Sequence, residues 1–161
     1  MQELSQIFTD SEYYVEEPLT PDSTEVALDR LGYRLPDELL ALLSKQNGGT
    51  LRNQCLPVDF PNSWAQDHIS IKGLLGLGHK RGMDSDFGSS YLIREWGYPA
   101  IGVVFAATPS GGHDAVMLDF EDETGSCEPR VVYVDEDRIP RLVAASFSEF
   151  LANLLPCSSF P

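Results

Sequence analysis

The chain has 161 residues, 42% of them hydrophobic, and its 25 acidic residues against 11 basic ones give a formal net charge of −14. This length fits one domain with a sizeable core. The charge argues against nucleic acid and anionic membranes as partners, because both would repel the protein, and it favours a basic partner.

The composition also predicts where the protein is located and whether its cysteines are reduced. No apolar stretch approaches the roughly 20 residues that a membrane helix needs, and Met1–Gln6 lacks the features of a signal peptide, so we expect a cytoplasmic protein. Cys55, Cys127 and Cys157 are odd in number and widely spaced. We therefore expect reduced thiols, no disulfide framework, no metal site and no cofactor.

The first half of the domain is predicted to be mainly helical. Residues 1–19 form an acidic segment without a sustained period, which we interpret as a loosely ordered arm that precedes a domain over 20–155. From Thr20 onward, apolar spacing predicts a short helix that ends at Gly32. A second helix is predicted to begin at Pro36, and Asn47-Gly48-Gly49 provides residues that tolerate the left-handed conformation at its end.

The middle of the chain is less regular. Short strands are predicted at Cys55–Pro57 and Ile69–Ile71. Residues 73–90 are rich in glycine, which predicts a long surface connection. Gly76, Gly78 and Lys80 within it superficially resemble a phosphate-binding loop, but the lysine stands in the wrong register for one. A helix over Tyr91–Trp96 is predicted to follow.

The second half is predicted to be a sheet closed by a helix. Residues 101–106, 115–120 and 130–134 read as three strands joined by hairpins, which predicts an antiparallel meander. Ser146 is predicted to cap a final helix with Glu149 at the capping-box position, and Phe147 and Phe150 should face the core. We expect residues 156–161 to be a frayed tail.

Three segments together resemble a known group: the helix and turn of 35–49, Gly111–Asp114 with the strand after it, and residues 146–151. The pattern is similar to the SUKH superfamily, which includes bacterial immunity proteins and fungal glucan-synthesis regulators of the Smi/Knr type. The resemblance implies a single α+β domain, an antiparallel sheet packed with helices, that binds a protein and is not an enzyme. The residues that carry this structural motif are Pro36, Asn47, Gly48, Gly49, Gly112, Phe147 and Phe150. Gly112 and Asp114 resemble the family's Gly-Asp pair with His113 inserted between them.

The function we expect is stoichiometric neutralisation of a toxin, because immunity proteins in this superfamily often bind basic nuclease-type toxins. Carboxylates can occupy the site where such a toxin would bind phosphates. The carboxylates predicted to contact this partner are Asp114, Asp119, Glu121, Asp122, Glu123, Asp135 and Glu136. Trp64 and Tyr91 are candidate apolar anchors, provided that they are exposed.

Two alternatives remain open from the sequence. The first is a regulatory scaffold with an endogenous protein partner, as in the fungal regulators. The second is a hydrolase that uses His113 with carboxylates, which requires a pocket that joins His113 to at least one distant titratable residue.

Overall fold

The computed structural model describes residues 3–121 and 128–160. Its α-helices are α1 (Leu4–Ile7), α2 (Pro21–Leu31), α3 (Asp37–Lys45), α4 (Ser89–Trp96) and α5 (Phe147–Asn153). Its strands are β1 (Gly49–Thr50), β2 (Cys55–Pro57), β3 (His68–Ser70), β4 (Gly73–Leu74), β5 (Gly102–Ala107), β6 (Ala115–Asp119), β7 (Arg130–Val134) and β8 (Pro140–Ala144). No helix in these two ranges is long and apolar enough to cross a membrane.

The strands form a six-stranded antiparallel sheet in the order β1-β4-β5-β6-β7-β8 and a separate pair, β2-β3. This arrangement confirms the α+β class and the predicted meander of β5, β6 and β7. It also adds β8, which the sequence analysis missed. That strand lies at the edge of the sheet and begins at Pro140, and a proline in a short run is a signal against a strand.

Side chains alternate between the two faces of the sheet, as the period of two requires. On one face, Phe105 packs against α5, with ring centroids 5.3 Å from Phe150 and 6.0 Å from Phe147. Both α5 rings are buried, which confirms their predicted place in the core. On the other face, Val104 and its neighbours form a second apolar cluster that is covered by α4. The sheet is therefore buried on both sides.

Asn47 and Gly48 form the turn after α3, and Asn47 connects this turn to two distant segments. The Asn47 side-chain amide donates to the carbonyls of Glu17 (2.7 Å) and Leu77 (2.8 Å), and its oxygen accepts from the Leu77 amide (2.8 Å). Gly48 has φ of +91°, so the left-handed residue expected in this turn is Gly48. α3 itself begins at Asp37, with Pro36 as its N-cap residue.

The glycine-rich segment is not the surface connection that its composition predicts. It supplies β4 to the interior of the sheet and buries Leu74, Leu77 and Met83. Its glycines permit close packing: a Cβ on Gly76 would lie 2.5 Å from the Asn47 side-chain oxygen. The prediction was wrong because glycine marks both flexible loops and places where two chain segments touch.

Residues near both termini of the described chain pack against the domain. The sequence predicts a loosely ordered arm over residues 1–19, whereas the structure buries Ile7 and Phe8 of that segment in the core. For residues 156–161, where a frayed tail was expected, the structure has a short 3₁₀ helix at Cys157–Ser159. Phe160 then stacks on His68 with ring centroids 4.4 Å apart.

Cys55 and Cys157 form a disulfide, with their Cα atoms 5.1 Å apart. The expectation of reduced thiols is therefore wrong for these two residues. The two cysteines are 102 residues apart in the sequence, so their contact could not be predicted from local sequence patterns. It arises because Leu155 exchanges two backbone hydrogen bonds with Cys55, at 2.8 and 3.1 Å, and so lays the chain end along β2.

The disulfide gives a direct test of this chain end. We expect Cys157→Ser to lower the free energy of unfolding by about 2–5 kcal/mol, because a bridge that closes a loop of this size restricts the unfolded chain. Urea denaturation with and without reductant measures the effect. Reductant should destabilise the natural chain and a Cys127→Ser control but leave Cys157→Ser unchanged. Equal stability of the natural chain in both conditions would contradict the disulfide.

Candidate functional site

Asp114, which was predicted to contact a partner, is buried in a hydrogen-bonded network. Its carboxylate accepts from the Ser110 hydroxyl (2.5 Å) and from the Tyr133 hydroxyl (2.6 Å), and its amide donates to Ser110 (3.1 Å). Burial raises the pKa of Tyr133, and the bond to Asp114 raises it further, so the phenol remains a donor. Asp114 thus fixes the β5–β6 hairpin to the sheet.

Asp119 and Asp135 also use their carboxylates within the chain. Asp119 accepts from Arg130 (3.0 Å) and from the Glu121 amide (2.9 Å), across the ends of β6 and β7. Asp135 accepts from the amide of Ser63 at 2.8 Å. Both residues are less than a tenth exposed. Asp119 therefore links β6 to β7, and Asp135 holds the loop before β3 through one oxygen, while its other oxygen is buried without a hydrogen-bond partner among the described residues.

The remaining predicted contact residues divide into two groups. Glu121 and Glu136 are exposed and lie beyond the ends of β6 and β7. Asp122 and Glu123 lie outside the described residues. Of the five predicted contact residues that the structure describes, Glu121 and Glu136 are the two that it leaves exposed to a partner.

An acidic stripe on α2 was missed by the sequence analysis as a separate feature. Asp22, Glu25 and Asp29 are exposed and follow one another at helical spacing on one face of the helix. Within the described chain, none of the three has a cationic nitrogen within 4.0 Å. The spacing of the three carboxylates is visible in the sequence, where the apolar positions of the same helix are the stronger signal.

The glycine-rich loop does bind an anion, and that anion is the protein's own Glu16. The backbone amides of Lys80 and Arg81 donate to the two Glu16 oxygens at 3.1 and 3.0 Å. Gly78 leaves room for this carboxylate, because a Cβ there would lie 2.3 Å from a Glu16 oxygen and would displace it. The loop amides that suggested phosphate binding are thus used to hold the N-terminal segment.

His113 does not meet the requirement of the hydrolase hypothesis. Its ring is exposed and packs edge-on against Trp96, with centroids 5.1 Å apart. Gly112 makes room for this contact, because a Cβ there would lie 2.9 Å from the Trp96 ring. No hydrogen bond or ion pair joins the His113 ring to a carboxylate among the described residues, which also contain no cluster of three potential metal ligands.

The two candidate anchors differ in their surroundings. Trp64 is 55% exposed in the loop before β3. Tyr91 is partly buried on α4, where its ring meets that of Phe87 edge-on at 5.1 Å. Both are therefore accessible to some degree, and Phe87 is a third exposed aromatic side chain that the sequence analysis did not single out.

A comparison with protein families identifies the fold. The sequence model of the SMI1 / KNR4 family (SUKH-1) matches residues 18–153, a range that includes the helices α2 to α5 and both sheets. The chain belongs to the SUKH-1 family. No curated protein and no solved structure gives a significant match. In this SUKH-1 domain, the Gly112 and Asp114 positions are both structural: one accommodates Trp96 and the other bonds to Tyr133.

The Asp114–Tyr133 bond can be measured by a double-mutant cycle. We expect Asp114→Ala to lower the free energy of unfolding by about 2–4 kcal/mol, because it leaves the buried Tyr133 hydroxyl unpaired. The double variant with Tyr133→Phe should show a coupling energy of about 1–3 kcal/mol in urea denaturation. The exposed Glu121→Ala, combined with Tyr133→Phe, should be additive. Additivity of the Asp114 pair would rule out the bond.

Proposed function

We propose that this SUKH-1 domain is an immunity protein that neutralises a basic toxin by stoichiometric binding. The observation that carries the proposal is the acidic surface on a SUKH-1 fold: a net charge of −14, with Asp22, Glu25 and Asp29 exposed as a stripe on α2. In this role the domain covers the toxin's own binding surface. Neutralisation by such occlusion needs neither a catalytic carboxylate pair nor a metal cluster.

The division of carboxylates into buried and exposed sets supports this role. Asp114 and Asp119 are buried and bonded to neighbouring strands, and Asp135 is buried against the loop before β3, so none of the three is exposed to a partner. The exposed carboxylates on α2, together with Glu121 and Glu136, remain available to attract a basic partner. Exposed charges of this kind accelerate association and make it sensitive to salt, whereas buried aromatic contacts determine the dissociation rate.

The test begins with capture of partners by the tagged domain at low salt from lysates of its source and of neighbouring strains. The captured partner is then purified. The stoichiometry of its complex with the SUKH-1 domain is measured by light scattering, and the toxicity of the partner is measured with and without co-expression of the domain. We expect an equimolar complex with a basic toxin and loss of toxicity when both proteins are present. A stable complex with a non-toxic endogenous protein would instead support the regulatory scaffold.

Two matched variants locate the contact. Glu25→Lys with Asp29→Lys and Glu121→Lys with Glu136→Lys each reverse two exposed charges. If α2 faces the toxin, the first variant should lower the association rate constant by about tenfold at low salt, while the second changes it little. The reverse result would place the contact at the sheet ends. Unchanged rates for both variants would contradict electrostatic recognition through either surface.

A further inference from the structure

A cleft opens where α4, the N-terminal segment and the glycine-rich loop meet beside the sheet. It has a volume of about 250 Å³. Its floor is formed by the buried side chains of Leu75, Val104, Ala106 and Ala115. The volume lies below the roughly 300–1,000 Å³ that small-molecule sites usually have. The cleft is therefore suited to one large side chain of a partner.

The polar groups at the base of the cleft are already paired. Asp114 accepts from Ser110 and Tyr133, and the Tyr98 hydroxyl donates to the Gly112 carbonyl. Burial raises the pKa of Tyr98 to about 12, so this hydroxyl stays protonated at neutral pH. An occupant does not need to supply polar atoms at this depth, which favours an apolar side chain.

The rim is aromatic on two sides. Phe87 is 73% exposed and packs against Tyr91 in a T-shaped arrangement, while Tyr13 is 55% exposed. Large exposed aromatic side chains beside a concave surface are typical of protein-binding sites. Each ring also has an aromatic neighbour within the chain, because Tyr13 contacts Tyr14 with centroids 4.7 Å apart and Phe87 contacts Tyr91.

Two cations complete the rim in a chain that is otherwise strongly acidic. Arg81 lies over the Tyr13 ring, 4.1 Å from its centroid, and donates to the Tyr13 carbonyl at 2.9 Å. Lys80 lies beside it and is exposed. Within residues 3–121 and 128–160, neither cation has a carboxylate oxygen within 4.0 Å. Their charge is therefore available to a carboxylate from outside the chain.

The loop that carries these cations is fixed. Glu16 is 6% exposed and binds the amides of both Lys80 and Arg81, while Asp84 accepts from the Gly78 amide at 2.8 Å. Since the carboxylates use backbone donors, they hold the loop without occupying the cationic side chains. The site thus resembles a preorganised surface, which lowers the entropic cost of binding.

We propose that this cleft binds an extended segment of a partner protein that has an aromatic or leucine side chain next to one or two acidic residues. The apolar side chain enters the cleft between Tyr13 and Phe87, and the acidic residues face Lys80 and Arg81. Because this protein has a net negative charge, a long acidic run in the partner would be repelled. The segment therefore carries only one or two acidic residues, and its apolar side chain is the anchor. This surface is separate from the acidic stripe on α2 and does not depend on the proposed function.

Selection from a phage-displayed library of random linear peptides on the intact protein tests the proposal. The selected peptides should share an aromatic residue or leucine with an aspartate or glutamate close by. Binding of a labelled consensus peptide is then measured by fluorescence anisotropy. Phe87→Ala should weaken binding by about tenfold or more, as expected for an aromatic anchor at the rim.

Charge variants give a second, independent readout. Lys80→Glu should weaken the consensus peptide about threefold or more, whereas the matched variant Arg34→Glu, at an exposed position outside the cleft, should not. A peptide with lysine in place of its acidic residues should prefer the Lys80→Glu protein. Absence of a consensus, a basic consensus, or binding that is unchanged by Phe87→Ala and Lys80→Glu would overturn the proposal.

Discussion

The structure depends on the side-chain amide of Asn47, which is buried and makes three hydrogen bonds to backbone groups. Two of these reach Leu77 and one reaches Glu17, so a single residue at the end of α3 aligns the glycine-rich loop with the N-terminal segment. An unpaired group at this depth would cost about 1–3 kcal/mol, which makes the arrangement specific. β4, the Glu16 contact and the cationic rim of the cleft all follow from this alignment.

The placement of charge separates what stabilises the fold from what is offered to partners. Asp114 and Asp119 are engaged with Tyr133 and Arg130, so part of the acidic composition is structural. The stripe on α2 is unpaired in the described chain and gives an acidic surface. The cleft beside α4 has the opposite charge at its rim, where Lys80 and Arg81 lie. A domain with two surfaces of opposite polarity can discriminate between partners by charge before close contact is made.

Much of the fold could be predicted because its signals are local. The cap at Ser146, the apolar face of α5 and the continuous apolar runs of β5, β6 and β7 lie within short windows of sequence. The rest depends on contacts between distant residues. Nothing near Cys55 indicates Cys157, and glycines at 76 and 78 do not reveal that Asn47 and Glu16 will approach them. At the candidate site, the acidic composition was predictable from the sequence. The burial of particular carboxylates was not, because it depends on hydrogen bonds to residues on neighbouring strands.

Hydrogen exchange of the Asn47→Ala variant, followed by mass spectrometry, tests the Asn47 contact most directly. The account predicts that exchange rises by about tenfold or more in residues 14–18 and 73–84 together, because both segments lose the same anchor, while β5–β7 remain protected. Asn153→Ala, an exposed change on α5, is the control and should leave both segments unchanged. If Asn47→Ala left exchange in the two segments at the level of the natural chain, Asn47 would not be the contact on which they depend.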